Sequence, residues 1–229
     1  MKAFSLRLVA WEMTRRCNLK CVHCRAGASD QLDPDELSFD EGRKLIEEIR
    51  EQGTPILIMT GGEPLMRKDF FPLADHAVKT GLRPVLATNG ALVTREVAAE
   101  LAKVGIPRAS VSLDGPTPTD HDAFRGVPGA FESSLKGIEM LKAAGIGVQI
   151  NTTLARRNRL QLGEMLKLAE KVGATAFHVF LLVPTGRARE LAGEEMGPEE
   201  YEQTLLEFYR LSRKTKMETK ATCAPQYYR

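Results

Sequence analysis

Three of the four cysteines in this 229-residue chain fall within eight residues, as Cys17-Asn-Leu-Lys-Cys21-Val-His-Cys24. So polar a segment is a poor place for three ordinary buried thiols. As thiolates spaced C-x3-C-x2-C on one short loop, they can hold three irons of a [4Fe–4S] cube. The fourth iron is then left open to bind and activate a small molecule. A zinc ion would ordinarily ask for four ligands in two close pairs. His23 could complete such a set only by turning inward together with the cysteines around it, and its position suits a packing residue better.

Four further segments are polar where the chain is otherwise apolar. In Thr60-Gly61-Gly62-Glu63-Pro64 the paired glycines permit positive φ and close approach of the backbone to a ligand. Carbonyls exposed by such a turn, together with the Glu63 carboxylate, suit an ammonium group; alone, the segment is a turn. Thr88-Asn89-Gly90 is a turn signal. In Ser110-Val-Ser112-Leu-Asp114-Gly115, strand alternation puts Ser110, Ser112 and Asp114 on one face, where polar groups need partners. Asp114 capping the next loop is an equal alternative. His121-Asp122-Ala-Phe124-Arg125-Gly126 reads as a structural Asp–Arg pair, with a substrate or lid loop as the other option. No residue identifies itself as a general acid or base.

Such groups need a scaffold that brings them to one place. Apolar runs at 6–13, 55–59, 83–87, 108–113, 146–153 and 176–183 read as strands. Helical patterns at 38–52, 70–80, 94–104, 130–144, 160–172 and 198–212 lie between and after them. Ser38 with Glu41 has the form of a capping box, and Gly81, Gly105, Gly145 and Gly173 close helices. A βα unit repeated about six times implies an α/β fold, with parallel strands buried on both faces under outer helices. An open sheet and a partial barrel both fit. In either, the working site lies at the carboxyl ends of the strands, where the unusual segments fall. The stretch RKTKMETK after Leu211 reads as a linker or extension.

The cysteine loop resembles the signature of the radical SAM superfamily, which carries C-x3-C-x2-C after the first strand of a partial (β/α)6 barrel of TIM type. His23 stands where that family often has an aromatic residue. Residues 60–64 are similar to its GGE segment and 88–90 to its TNG segment. The resemblance implies a [4Fe–4S] cluster on Cys17, Cys21 and Cys24, and S-adenosylmethionine (SAM) chelated at the open iron. Gly61, Gly62, Glu63, Thr88, Asn89 and Ser112 would contact SAM, with Asn151 a further contact and Val183 beside the adenine. It also implies the chemistry: one electron passes to the sulfonium, methionine leaves, and a 5′-deoxyadenosyl radical removes a hydrogen atom from the substrate. An electron donor such as a ferredoxin or flavodoxin is then required.

Within the superfamily, LDGPTPTDHDAFRGVPGAF, PTGRA and TCAPQYYR most resemble the SPASM/twitch-type enzymes of alternative haem biosynthesis. That implies an iron porphyrin substrate and oxidative decarboxylation of its side chains. It divides the chain into a core barrel at 1–197 and, at 198–229, a last helix with a linker into an auxiliary Fe–S domain that is missing. Cys223 would be the first ligand of an auxiliary cluster there, and the C-terminal extension is expected to be truncated. The alternatives are a radical SAM peptide maturase and a non-catalytic Fe–S or zinc binding module. Against the maturase, the first strand starts within about ten residues, with no recognition domain ahead of it.

A net charge of +2 with no basic stripe gives no reason to expect nucleic acid. Residues 1–10 carry Lys2 and Arg7 and no long apolar run, so neither a leader nor a membrane span is expected. The expected location is the cytoplasm, where thiols stay reduced.

Overall fold

Local signals start and stop the helices. Ser38 and Glu41 satisfy each other's backbone at the start of the first: the Glu41 N–H donates to Ser38 Oγ at 3.4 Å, and the Ser38 N–H donates to the Glu41 carboxylate at 2.8 Å. Thr94 and Thr117 cap two others by accepting from the N–H groups of Val97 and Asp120.

The computed structural model describes residues 6–228. Its elements are β1 (Leu8–Glu12), α1 (Phe39–Glu51), β2 (Ile56–Thr60), α2 (Phe70–Lys79), β3 (Arg83–Thr88), α3 (Arg95–Lys103), β4 (Arg108–Ser112), α4 (Pro118–Arg125), α5 (Ala130–Ala143), β5 (Gly147–Leu154), α6 (Leu162–Lys171), β6 (Ala176–Leu181), α7 (Pro198–Ser212) and β7 (Glu218–Thr222). All the strands pair in parallel, in the order β1 to β7. The sheet curls into a half-barrel with helices outside. Register sets Glu12 beside Thr60, Thr88 beside Val111, and Ser112 beside Asn151, with β5 running on past the end of β4.

Burial alternates along the strands, in place of the expected burial on both faces. In β5, Val148, Ile150, Thr152 and Leu154 are buried, whereas Gln149, Asn151 and Thr153 between them are half-buried. A sheet that does not close leaves its concave face open to whatever enters the lumen. The core therefore sits between sheet and helices, around Leu57, Met59, Leu86, Val111, Ile150, Phe177 and Val179.

Two segments differ from expectation. Residues 118–125, which include most of the 121–126 stretch offered as an Asp–Arg pair or a loop, form α4, with Pro118 in its first turn and Gly126 ending it at φ 68°. Residues 218–222, read as linker, form β7 and extend the sheet alongside β6. As an edge strand, β7 buries only Ala221, so its polar sequence lacks an apolar run. After it, Pro225–Tyr228 folds back, with the Tyr227 ring 5.4 Å from that of Phe208. Residues 1–5 and Arg229, which fall within the expected leader-free start and the expected extension, lie outside the described residues. Among the described residues no helix is long and apolar enough to cross a membrane.

Candidate functional site

The loop between β1 and α1 lies across the carboxyl ends of the strands. Cys17 and Cys21 are buried and Cys24 is half-buried, all as free thiols. The three line one cavity of about 310 Å³, open at one side. Gly61, Gly62, Thr88, Asn89, Ser112, Asn151, Val183 and Cys223 line the same cavity. Thus six separated segments, from β2 through β7, converge on the thiols, on the side of the sheet where a parallel α/β fold places its site.

Backbone contacts fix the loop. At Gly61, φ is 141°, and a Cβ would stand 2.3 Å from the carbonyl oxygen of Thr14. One on Gly62 would stand 2.2 Å from that of Arg16. The Gly62 and Glu63 N–H groups donate to these same carbonyls at 2.7 Å. The close approach expected toward a ligand is therefore, on this side, an approach to the chain entering the cysteine loop. From β3, Asn89 Nδ2 donates to Asn18 Oδ1 at 2.8 Å. From the turn after β6, Arg187 donates from its backbone to the Cys24 carbonyl at 3.0 Å and from Nε to the Cys21 carbonyl at 2.9 Å; Nη1 bonds the Ala28 carbonyl at 2.5 Å. Gly186 abuts the Cys24 and Arg25 carbonyls too closely for any Cβ. Reading the sequence alone passes over Arg187; an arginine straight after Pro-Thr-Gly at a strand end is the available signal.

Glu63 departs from the expected direct contact. Its carboxylate is fully buried behind the cavity wall and is not among the lining groups. It accepts from the Thr88 hydroxyl at 2.8 and 2.9 Å and from the N–H groups of Asn89 at 2.8 Å and Leu65 at 3.2 Å. Burial pushes its pKa up to about 7 against the pull of those donors. Glu63 thus ties the turn after β2 to the turn after β3.

Asp114 is likewise buried and internally paired. Its Oδ2 lies 2.6 Å from Arg125 Nη2 and 3.2 Å from His23 Nε2, and its Oδ1 accepts from the Thr153 N–H at 2.7 Å. Burial alone would raise its pKa, but the Arg125 and His23 charges hold it well below the usual carboxylate range. Asp114 is thus an internal anchor, a role that neither reading offered for it described. The Asp–Arg pair exists, but with Asp114; Asp122 instead accepts from the Gly129 and Phe131 N–H groups. His121 is buried, and its Nδ1 accepts from the Asp114 N–H at 3.1 Å. Burial and Arg125 lower its pKa to about 4, so it is neutral near pH 7. His23 packs on Phe124, ring centroids 4.4 Å apart.

Each thiol sulfur meets an N–H donor. Leu19 N and Asn89 Nδ2 lie 3.4 and 3.9 Å from Cys17 Sγ, Arg125 Nη1 lies 3.7 Å from Cys21 Sγ, and Ala28 N lies 3.3 Å from Cys24 Sγ. Donors aimed at sulfur suit metal-bound thiolates. Burial pushes the Cys17 thiol up to about 11, opposed by the Leu19 N–H, so metal binding there must displace a proton. Among the described residues no three His, Cys, Asp or Glu side chains close on a single ion. Thiols spread around a shared cavity fit a cube that takes one thiolate per iron. Cys223, expected to serve a separate cluster, lies on the rim of this cavity, exposed, with φ 60°.

The profile of the Radical SAM superfamily matches residues 11–169. The sequence is 52% identical to an AdoMet-dependent heme synthase of Oleidesulfovibrio alaskensis, over 97% of this chain and 58% of that protein. It is 48% identical to one from Methanosarcina barkeri, over 97% and 63%. Streptococcus suis SuiB bound to precursor peptide SuiA has a similar fold, with a TM-score of 0.76 at 18% identity over 95% of this chain and 49% of that one. The chain spans about three fifths of the length of the curated relatives it matches.

Proposed function

This chain belongs to the radical SAM superfamily, and on that premise we propose that it is the catalytic core of an enzyme that cleaves SAM reductively to modify a tetrapyrrole. The observation that carries the reading is the convergence of Cys17, Cys21 and Cys24 with the turns after β2 and β3 on one cavity. Radical SAM proteins use a [4Fe–4S] cluster and SAM; when bound, these supply one-electron cleavage of the sulfonium and abstraction of a hydrogen atom.

The residues divide the work by position. Cys17, Cys21 and Cys24 hold the cluster. Backbone at Gly61 and Gly62 faces the methionyl end of SAM, while Glu63 acts from behind by fixing Thr88 and Asn89. Ser112 and Asn151, neighbours in register on β4 and β5, offer polar groups on the lumen face. Val183, an exposed residue at the cavity edge, flanks the adenine. Arg187 and Arg125 hold the loop in place.

An iron porphyrin as substrate, with oxidative decarboxylation of its side chains, is supported by the similarity to AdoMet-dependent heme synthases. An auxiliary cluster in a longer protein, with Cys223 among its ligands, belongs to the same proposal, as do a ferredoxin or flavodoxin donor and a cytoplasmic location.

The test is anaerobic reconstitution with iron and sulfide, dithionite reduction and addition of SAM. A [4Fe–4S]⁺ electron paramagnetic resonance signal that changes with SAM, plus 5′-deoxyadenosine that is lost in Cys17→Ala, Cys21→Ala or Cys24→Ala, is the expected result. Stoichiometric zinc, or a cluster indifferent to SAM, would leave a binding module. A change in that signal or in the visible spectrum on adding iron coproporphyrin, and none with peptide, would favour the tetrapyrrole over the maturase reading.

A further inference from the structure

We infer that Arg125 sets the reduction potential of the cluster through the Cys21 sulfur, with Asp114 on its far side as the counterweight that orients it. The inference rests on the reading that Cys17, Cys21 and Cys24 hold a [4Fe–4S] cluster.

The guanidinium bridges two unlike groups. Arg125 Nη1 points at Cys21 Sγ at 3.7 Å, and Nη2 lies 2.6 Å from Asp114 Oδ2. The Arg125 side chain is 9% exposed and that of Asp114 is fully buried, so solvent screens neither charge well. Nor can Arg125 back away. The carbonyls of Phe124 and Arg125 accept from the Val22 and Lys20 N–H groups at 3.0 and 3.2 Å, inside the cysteine loop. A Cβ on Gly126 would stand 2.4 Å from the Lys20 carbonyl oxygen, which locks the end of α4 onto that loop.

Reduction adds one electron, and so one negative charge, shared by the irons and their sulfurs. A positive charge and an N–H aimed at a ligand sulfur stabilise that reduced form more than the oxidised one, which raises the potential. Arginine keeps its proton at every working pH, so the effect does not titrate away. Asp114 opposes it from further off, because the guanidinium stands between its carboxylate and Cys21. The two side chains therefore pull the potential in opposite directions. An ion pair that merely held the loop would have no such sign: breaking it from either side would loosen the same segment.

The experiment is a redox titration with dithionite, read by electron paramagnetic resonance, on the reconstituted full chain without SAM. Parent, Arg125→Gln, Arg125→Lys and Asp114→Asn are compared, with iron and sulfide content measured for each. Arg125→Gln should titrate lower, by about tenfold in the reduced-to-oxidised ratio at fixed ambient potential, which is about 59 mV for one electron. Arg125→Lys should fall between, since it keeps the charge and loses the two-pronged geometry. Asp114→Asn should titrate higher than the parent. Arg125→Gln with full cluster content at the parent's midpoint overturns the inference, as does a downward or absent shift in Asp114→Asn. If Arg125→Gln takes up no cluster, Asp114→Asn decides. A parent without any [4Fe–4S] signal is a different failure: it removes the cluster reading itself, and this inference with it.

Discussion

The Thr88 hydroxyl lies 2.9 Å from Glu63 Oε1 and 2.8 Å from Oε2, and so joins the turn after β2 to the turn after β3 inside the protein. With the Asn89 and Leu65 N–H groups it gives a fully buried carboxylate three donors and no cation among its hydrogen-bond partners. Hydrogen bonds of this kind lower a carboxyl pKa, but burial outweighs them here and leaves it near 7.

A pH dependence follows. Below the unfolded pKa of about 4.5 the carboxyl is protonated folded or unfolded, and it contributes its full stability. Between there and about 7 the unfolded chain gives up the proton while the folded one keeps it, so stability falls as pH rises. Glu63→Gln removes that dependence. In urea unfolding of iron-free protein, the variant should gain on the parent by about 3 kcal/mol between about pH 4.5 and 8, since each pH unit between the two pKa values costs the parent about 1.4 kcal/mol. His121, whose lowered pKa works in the opposite direction, is common to both proteins and cancels in the difference. A gap that stays constant with pH would show that Glu63 is ionised throughout.

Gly62→Ala tests the packing of the β2 turn. The added carbon meets the Arg16 carbonyl oxygen at 2.2 Å, with backbone on both sides and no flexible side chain to yield. The loop start at 14–16 must move, at a cost of about 1–3 kcal/mol. The expected outcome is a lower urea midpoint and less iron bound per chain after reconstitution. Parent values for both would mean that the glycine serves only a ligand.

Much of this site is legible in the sequence because its parts are local. Cys17, Cys21 and Cys24 stand together on one loop and line one cavity, and Gly61-Gly62-Glu63 and Thr88-Asn89-Gly90 are turns at the ends of apolar strands. What the spacing cannot carry is which turn touches which. Glu63 looks like a ligand group because its partners, Thr88 and Asn89, are about 25 residues away. Arg125 looks like the partner of Asp122, three residues before it, and pairs with Asp114 instead because α4 turns the chain back. Strand β7 is hidden for another reason: an edge strand with one buried side chain has no apolar period to detect.

Phe208→Ala should release that edge. Phe208 is buried on α7 between Phe177 of β6, 6.4 Å away by ring centroid, and Tyr227 at 5.4 Å. Its loss leaves a cavity and removes the platform on which the fold-back of Pro225–Tyr228 rests. A cost of about 3–5 kcal/mol is expected. Amide hydrogen exchange should quicken across 218–228 well before it changes in β2 or β3. Uniform quickening through the whole sheet would mean that β7 is integral to the cooperative unit and not a separable edge.

Arg187→Ala isolates the clasp from the ligands. The substitution leaves the three thiols and the backbone bond to the Cys24 carbonyl, but removes the side-chain bonds to the Cys21 and Ala28 carbonyls. Those two acceptors lie on either side of Cys24, so losing them frees the stretch that carries the most exposed of the three thiols. Cluster assembly should still occur, because no ligand is lost. Its survival should not match the parent's: decay of the iron–sulfur absorbance on exposure to air should speed up several-fold. Arg187→Lys should resemble Arg187→Ala, since one ammonium cannot reproduce a fork that spans two carbonyls. An air-decay rate equal to the parent's in both variants would assign the hold on the loop to Gly186 and the backbone alone.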